Sequence, residues 1–387
     1  MSTWSDLKNN PRLKKIYETR IEIIKLIREF FWSKNFVETE TPIAVRYAGQ
    51  EPYLNPVPTI FHNPEGDKFK FYLHTSPEFA MKKLLAAGFP RIFQITKCFR
   101  DFENFGGLHN TEFTMIEWYR APGNYVEIMD DTEKLFKYVA ERLGVKVARV
   151  KDYKTNVAQK WDRISMRDLW RKFIGVNLDN YLLLEDIKKL AGERGHSIAA
   201  RDSYEDVFYK IFLNEIEPKL GVERPIFVYD YPAQMTSLCR LRENDSRYAE
   251  RFELYIGGME IANAFGELTD ADEQLKRLEE DRAKRSSLGK PTWPVDPDFI
   301  EALRHLQIQN EQDIEACKRA SPAVVSPKMI GSTASHEKHE ASLRSSELRR
   351  AEAGGIALGV DRMILLFTEA GDLNEVIFQA VKDQIGN

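Results

Sequence analysis

The sequence predicts an α+β fold, a mostly antiparallel sheet flanked by helices. Two pairs of alternating runs carry the sheet: 91–99 (RIFQITKCF) with 112–119 (EFTMIEWY), and the two halves of 251–268 (RFELYIGGMEIANAFGEL) about Gly257-Gly258. Helical stretches at 11–35, 124–143 and 270–287 stand outside these pairs and supply the flanking layer.

In chain order, 11–35 has apolar residues at Ile16, Ile21, Ile24, Leu26, Ile27, Phe30 and Phe31, a helical spacing with a charged opposite face. FVETETPI is strand-like and stops at Pro42. FKFYLHT (69–75) reads as a strand, and Ser76-Pro77-Glu78 opens a helix with Ser76 as cap. Residues 150–224 are mixed and mostly helical, 225–232 (PIFVYDYP) is a strand, and 354–367 (GGIALGVDRMILLF) is a glycine-rich strand running into an apolar helix. Residues 306–353 turn polar and read as a surface insertion. Its His336-Glu337-Lys338-His339-Glu340 is not H-E-x-x-H, so the zinc-protease spacing fails.

Bulk properties narrow the function. The chain has 387 residues, 43% hydrophobic and 30% charged, an ordinary globular composition. A net charge of −4 gives no field favouring capture of a polyanion over the whole surface. Cys98, Cys239 and Cys317 are too few and too scattered for a disulfide framework or a zinc site. No apolar run approaches the ~20 residues that span a bilayer, and the N-terminus has no signal-peptide core, so a cytoplasmic location is expected.

The chemistry-bearing residues outline one site. Glu253 and Glu260 lie on either side of the Gly-Gly turn, and a tight hairpin would make them cross-strand neighbours. Two close carboxylates repel unless a cation sits between them, and Mg²⁺ with a polyphosphate is one solution. An exposed acidic sheet face is the other. Arg100 and Arg362 each end an apolar segment beside a turn, and guanidinium suits bidentate phosphate contact as well as a surface ion pair. Phe113 serves either the core or a base stack. Glu117 and Tyr119, at i and i+2, share a face and together suit an ammonium group. Asp361 suits a cap on the helix that follows it. Neither G-x-G-x-x-G in a βαβ unit nor G-x-x-x-x-G-K-[ST] occurs, so a nucleotide would not bind on those scaffolds.

Three segments in order resemble the catalytic domain of class II aminoacyl-tRNA synthetases of the lysyl type. The long helix with FVETETP is similar to motif 1, CFRDFENFGGLHNTEFTMIEWY to motif 2, and GIALGVDR to motif 3. TSPEF (75–79) and RFELYIGGMEIANAFGELTD (251–270) are also lysyl-like. The likeness spans nearly all of 1–387, read as a single catalytic domain, apart from 306–353. It implies that Arg100 holds the α-phosphate of ATP, His109 and Asn110 lie near the distal phosphates, and Phe113 stacks on adenine with Arg362 opposite. Arg100 and Arg362 would be the catalytic pair. Asp101, Phe102, Ile261 and Gly359 are placed in the same ATP site, and Glu253 and Glu260 would coordinate Mg²⁺. Ser76, Pro77, Glu78, Asn263 and Phe265 would meet the amino acid, and Glu117, Tyr119 and Glu267 would grip its side-chain ammonium.

Motif 1 begins almost at once, so the likeness predicts no N-terminal anticodon-binding domain. It is nearest to the truncated branch of the lysyl type that modifies elongation factor P with β-lysine. Ala357 agrees, because lysyl synthetases resemble Gly-x-Gly-x-Gly where this chain has Gly355-Ile356-Ala357-Leu358-Gly359. A methyl there would narrow the pocket floor. The implied reaction is ATP-dependent activation of (R)-β-lysine or lysine, with transfer to a lysine of elongation factor P by a homodimer. The tRNA acceptor is not expected. Another amine acceptor, and a non-catalytic ligand-binding regulator, remain as alternatives. Motif 2 departs from the pattern with one extra residue before His109. Either Glu103 bulges back to adenine or Asp101 takes its place.

Overall fold

A computed structural model describes residues 3–150, 153–307 and 352–385. The insertion read at 306–353, with its HEKHE stretch and Cys317, lies almost wholly outside the described residues.

The strands are β1 (Val37–Glu38), β2 (Ala44–Val45), β3 (Val57–His62), β4 (Lys68–Leu73), β5 (Arg91–Phe99), β6 (Glu112–Arg120), β7 (Val147–Val150), β8 (Tyr153–Asn156), β9 (Asp162–Ser165), β10 (Ile226–Pro232), β11 (Tyr248–Ile256), β12 (Met259–Gly266) and β13 (Gly354–Gly359). Eight form the main sheet, in the order β1-β5-β6-β13-β12-β11-β10-β9. The outer pairs β1–β5 and β9–β10 are parallel and the other five are antiparallel, as expected of the fold class.

Alternation along each strand sorts the sheet into two faces. Phe93, Ile116, Trp118, Ile356, Leu358, Ala262 and Ala264 are buried on one face, against α2 (Pro11–Ser33), α4 (Tyr125–Leu143) and the Val360–Thr368 helix. Phe31 of α2 stacks on Phe93 at 4.9 Å between ring centroids and tilts against Trp118 at 5.0 Å. Each such ring contributes roughly 1.5–3 kcal/mol by leaving water. The opposite face carries Gln94, Glu117, Ala357, Asn263 and Glu253, matched strand to strand in a single row. One face is the core and the other is left for chemistry.

Helix α2 starts where Asn10 accepts from the backbone N–H groups of Arg12 and Leu13, with Pro11 in the first turn. Its buried stripe is Leu13, Ile16, Arg20, Ile23, Leu26, Ile27, Phe30 and Phe31. Ile21, expected in that stripe, is exposed instead. The stripe includes a charge: Arg20 donates to Asp361 at 2.5 Å and to the Thr114 hydroxyl at 2.8 Å. Asp361 is therefore not a helix cap. Its second oxygen accepts from the Thr114 N–H at 2.6 Å, tying α2, β6 and the Val360–Thr368 helix together.

Other local expectations shift. FVETETPI (36–43) yields only the two-residue β1, which has a single neighbour at the sheet margin, and β2 follows it. Helix α3 (Glu78–Ala86) starts after Pro77, without a side-chain hydrogen bond from that cap residue. Ser76 still accepts from the Glu78 N–H, but its hydroxyl donates into the sheet, to Glu117. Within 150–224, α5 (Met166–Ile174), α6 (Leu184–Glu193) and α7 (Tyr204–Glu215) build a second apolar cluster with Trp170 and Phe208, and strands β8 and β9 precede them. Helix α8 (Ala271–Ser287) begins at the cap Asp270.

Candidate active site

A cleft of roughly 1010 Å³, counting the space open to solvent, lies over the uncovered face. Arg100, at the end of β5, and Phe113, near the start of β6, sit side by side, with the guanidinium carbon 5.0 Å from the ring centre. Arg362 reaches in from the first turn after β13, donating to the Glu260 carbonyl at 2.7 Å and to the Leu108 carbonyl. Arg100 Nε is buried and has no hydrogen-bond partner among the described residues, so this donor is free for an anion. Asn110 Oδ1 is likewise buried and unpartnered among the described residues.

The loop between β5 and β6 resolves its extra residue in a simple way. Phe102 is 87% exposed at φ +60°, extruded into solvent. Glu103 swings back into the cleft, where His109 Nδ1 stands 3.1 Å from its carboxylate and holds its pKa below the usual range. Glu103, His109, Asn110, Phe113, Glu260, Ile261, Gly359 and Arg362 line the cleft with Arg100, whereas Asp101 and Phe102 do not.

Glu253 and Glu260 are not opposite one another. Glu253 faces Asn263 and Glu260 faces Tyr255, because the register shifts beside Ile261. This bulge puts Glu260 on the face that carries Glu253; an unbulged ladder of the same residues would set it against Ile256, pointing to the core. Glu253 accepts from Arg251 at 2.5 Å, from the Tyr231 hydroxyl at 2.6 Å and from the Tyr255 hydroxyl. Glu260 lines the cleft, 4.0 Å from Arg362. Enclosure and then the Glu253 charge raise its pKa. Among the described residues no cluster of three or more His, Cys, Asp or Glu forms a preassembled metal cage. A donor set of one or two carboxylates beside a phosphate-sized cleft is the Mg²⁺ pattern, so the residues present fit that ion.

Beyond Ala357 the same row reaches a buried cluster of acids. Glu117 is fully buried, accepting from the Ser76 hydroxyl at 2.5 Å and the Tyr119 hydroxyl at 2.7 Å. Burial, with the Glu78 charge adding, pushes the Glu117 carboxyl up to about 8. Burial also pushes Glu267 up to about 7, with Lys82 opposing and Glu78 adding. Lys82 lies 2.5 Å from Glu78 and 2.6 Å from Glu267. Burial disfavours its ammonium, but Glu267 and Glu78 outweigh that and raise its pKa. Gly355 is required here, since a methyl would stand 2.2 Å from Glu267 Oε1 and 2.3 Å from the Tyr119 ring. Asn263 is fixed by Arg251, and Phe265 faces Gly355 in the next row. Ala357 thus lines the arginine-bearing cleft and pairs on its other side with Glu117 of the acidic cluster.

Residues 2–306 match the family model of the class II tRNA synthetases (D, K and N). The chain belongs to this family. Curated relatives of the chain include the elongation factor P--(R)-beta-lysine ligases of Pseudoalteromonas translucida, Pectobacterium carotovorum and Haemophilus influenzae. The first is 33% identical over 361 residues, covering 92% of this chain and 93% of the relative. The second is 33% identical over 364 residues, covering 94% of each. The third, from strain Rd, is 30% identical over 380 residues, covering 97% and 96%.

Three residues around the site carry little signal in the sequence. Lys82 is signalled only by its i+4 spacing from Glu78. Arg20 betrays itself by sitting between Ile16 and Ile23 in the buried stripe of α2. Glu51, on the loop between β2 and β3, carries no motif. Among the described residues no helix is long and apolar enough to cross a membrane.

Proposed function

We propose that this synthetase uses ATP to activate a lysine-type amino acid, (R)-β-lysine in preference to lysine, and transfers it to a lysine side chain of elongation factor P. One observation carries the reading: Glu117, beside the buried acids Glu78 and Glu267, shares a sheet row with Ala357 and Asn263 of the arginine-lined cleft. A diamino acid placed along that row puts its carboxylate toward Arg100 and its far ammonium between Glu117 and Glu267. The names of the relatives supply the isomer and the acceptor.

The amino acid carboxylate then attacks the α-phosphorus in line, its new P–O bond replacing the bond to pyrophosphate. Arg100 and Arg362 stabilise the charge on the phosphates. A divalent cation held by Glu260, with Glu253 behind it, would neutralise charge on the β- and γ-phosphates. Glu117 gives up its proton as the ammonium docks. In the second half-reaction the acceptor amine attacks the acyl carbon and AMP departs. No covalent enzyme intermediate is required, and Cys98 and Cys239 are poor nucleophiles because burial pushes both thiols up. The exposed Ile21 and Trp32 of α2, with Val37, suit a second copy of the chain.

The test is incubation with ATP, Mg²⁺ and each lysine isomer, with and without elongation factor P, followed by intact mass of the acceptor. One acylation from β-lysine is expected. No mass gain with either isomer from a folded enzyme would overturn the reading.

A further inference from the structure

In the transfer step the acceptor arrives as an ammonium. A lysine side chain titrates near about 10.4, so at neutral pH its nitrogen has no free lone pair until a proton is removed. Most groups around the reacting carboxyl are already committed. Glu78 is held by Lys82 at 2.5 Å, Glu117 by the Ser76 and Tyr119 hydroxyls, and Glu103 by His109. His74 is buried, with Nε2 2.7 Å from the Lys97 carbonyl. Glu51 differs from all of these. It is half-buried, lines a small recess with His74, Thr75, Ser76 and Glu78, and makes no ion pair with another side chain among the described residues.

The loop that carries Glu51 is clamped. Trp293 donates to the Ala48 carbonyl at 2.7 Å, and Lys290 to the Pro52 carbonyl at 2.8 Å. Buried Arg285 donates to the Glu51 carbonyl at 2.7 Å and the Leu54 carbonyl at 2.6 Å. Such anchoring holds a reacting group in position. Desolvation in the recess pushes the Glu51 carboxyl up to about 7. Glu78 of α3 and Asp281 of α8 add to this, whereas Arg100 at the end of β5 opposes it. Arg285 of α8 feels the Glu51 charge in turn. A carboxyl balanced in this way is part ionised at neutral pH, the condition a proton acceptor needs. Arg100 faces the carboxylate end of the substrate and Glu78 its near end. A carboxylate influenced by both stands beside the bond that is exchanged.

We propose that Glu51 is the general base of the transfer step, taking a proton from the acceptor's incoming ammonium. This role rests on the acceptor reading above. One ammonium proton passes to a Glu51 oxygen. The freed lone pair forms the C–N bond, and the C–O bond to phosphate breaks, its electron pair leaving with AMP. A second nitrogen proton follows to the departing phosphate, and the third stays on the new amide. The Arg100 charge helps, because it disfavours an ammonium beside it. Glu51 then returns its proton to water.

The experiment separates the two half-reactions. Glu51→Gln should lose less than about threefold in amino-acid-dependent pyrophosphate exchange and about 10²–10⁴-fold in single-turnover transfer to elongation factor P. Gly49→Ala should give the same split in milder form, because a methyl there collides with Glu51 Oε2 and displaces the carboxylate. Two readouts mark a lost base and not a lost position. Hydroxylamine, uncharged at neutral pH, should be acylated as fast by Glu51→Gln as by wild type. The transfer deficit should also shrink as pH rises toward the acceptor's own pKa. Equal loss in exchange and transfer, loss in neither, or a deficit that hydroxylamine shares overturns the role of Glu51. A wild type that exchanges pyrophosphate but does not acylate elongation factor P overturns the acceptor reading, and this role with it.

Discussion

The ammonium of Lys82 lies between Glu78 and Glu267, 2.5 and 2.6 Å from their oxygens, so the pocket proposed for a substrate amine already holds one of the chain's own. Replacing it by methionine strands two enclosed carboxylates. Lys82→Met should cost about 3–5 kcal/mol of stability in denaturant unfolding at neutral pH. The loss should shrink in mild acid, where the carboxylates take up protons. A change below ~1 kcal/mol would show that the ion pairs contribute little.

Glu117 fixes a pH dependence. Its carboxyl is pushed up to about 8, so the free enzyme holds it largely protonated at neutral pH. An ammonium needs the ionised form. Amino acid affinity should therefore fall as pH drops below about 8, approaching tenfold per unit, and level off above it. Stability runs the other way. The folded state binds the extra proton, so its contribution declines as pH rises from about 4.3, the ordinary glutamate value, toward 8. Titration calorimetry in buffers of different ionisation heat should detect one proton released per ligand. Glu117→Gln should abolish that release, and a flat profile in the wild type would refute the assignment.

Arg100 has a free buried donor beside the expected phosphate position. Arg100→Lys keeps the charge and loses the fork. Amino-acid-dependent pyrophosphate exchange should drop about 10²–10³-fold with calorimetric amino acid affinity nearly intact. Parallel loss of both would move Arg100 out of the phosphate site.

Glu103 enters the cleft and Asp101 does not. Glu103→Gln should raise the KM for ATP about tenfold, whereas Asp101→Asn should change it less than about twofold. The reverse ranking would mean that the loop refolds when ATP binds.

Ala357 stands between Asn263 and Glu117 in the sheet row. Ala357→Gly should shift the ratio of kcat/KM toward lysine over β-lysine, by a free energy of roughly 1–3 kcal/mol. An unchanged ratio would leave the isomer preference to other contacts.

Strand pairs and long helices were legible because each announces itself locally. The alternation in 91–99 and 112–119 sets both faces, and Asn124 and Asp270 cap α4 and α8 where their side chains suggest. The site residues were legible as far as motif chemistry reaches. What stayed hidden depends on distant partners. Glu51 gains meaning only from a loop clamp more than two hundred residues away in sequence, at Arg285 and Trp293. The true placement of Glu253 and Glu260 depends on a register shift that no composition rule reveals.

That shift makes Ile261 the spare residue of β12, buried beside Ala262 with no cross-strand partner of its own. Deleting it would close the ladder with Glu260 still opposite Tyr255, so the carboxylate would keep its side of the sheet. Straightening the strand with all its residues kept would instead set Glu260 against Ile256 and turn it toward the packed helices. The direction of this one carboxylate is thus held by where the irregularity sits.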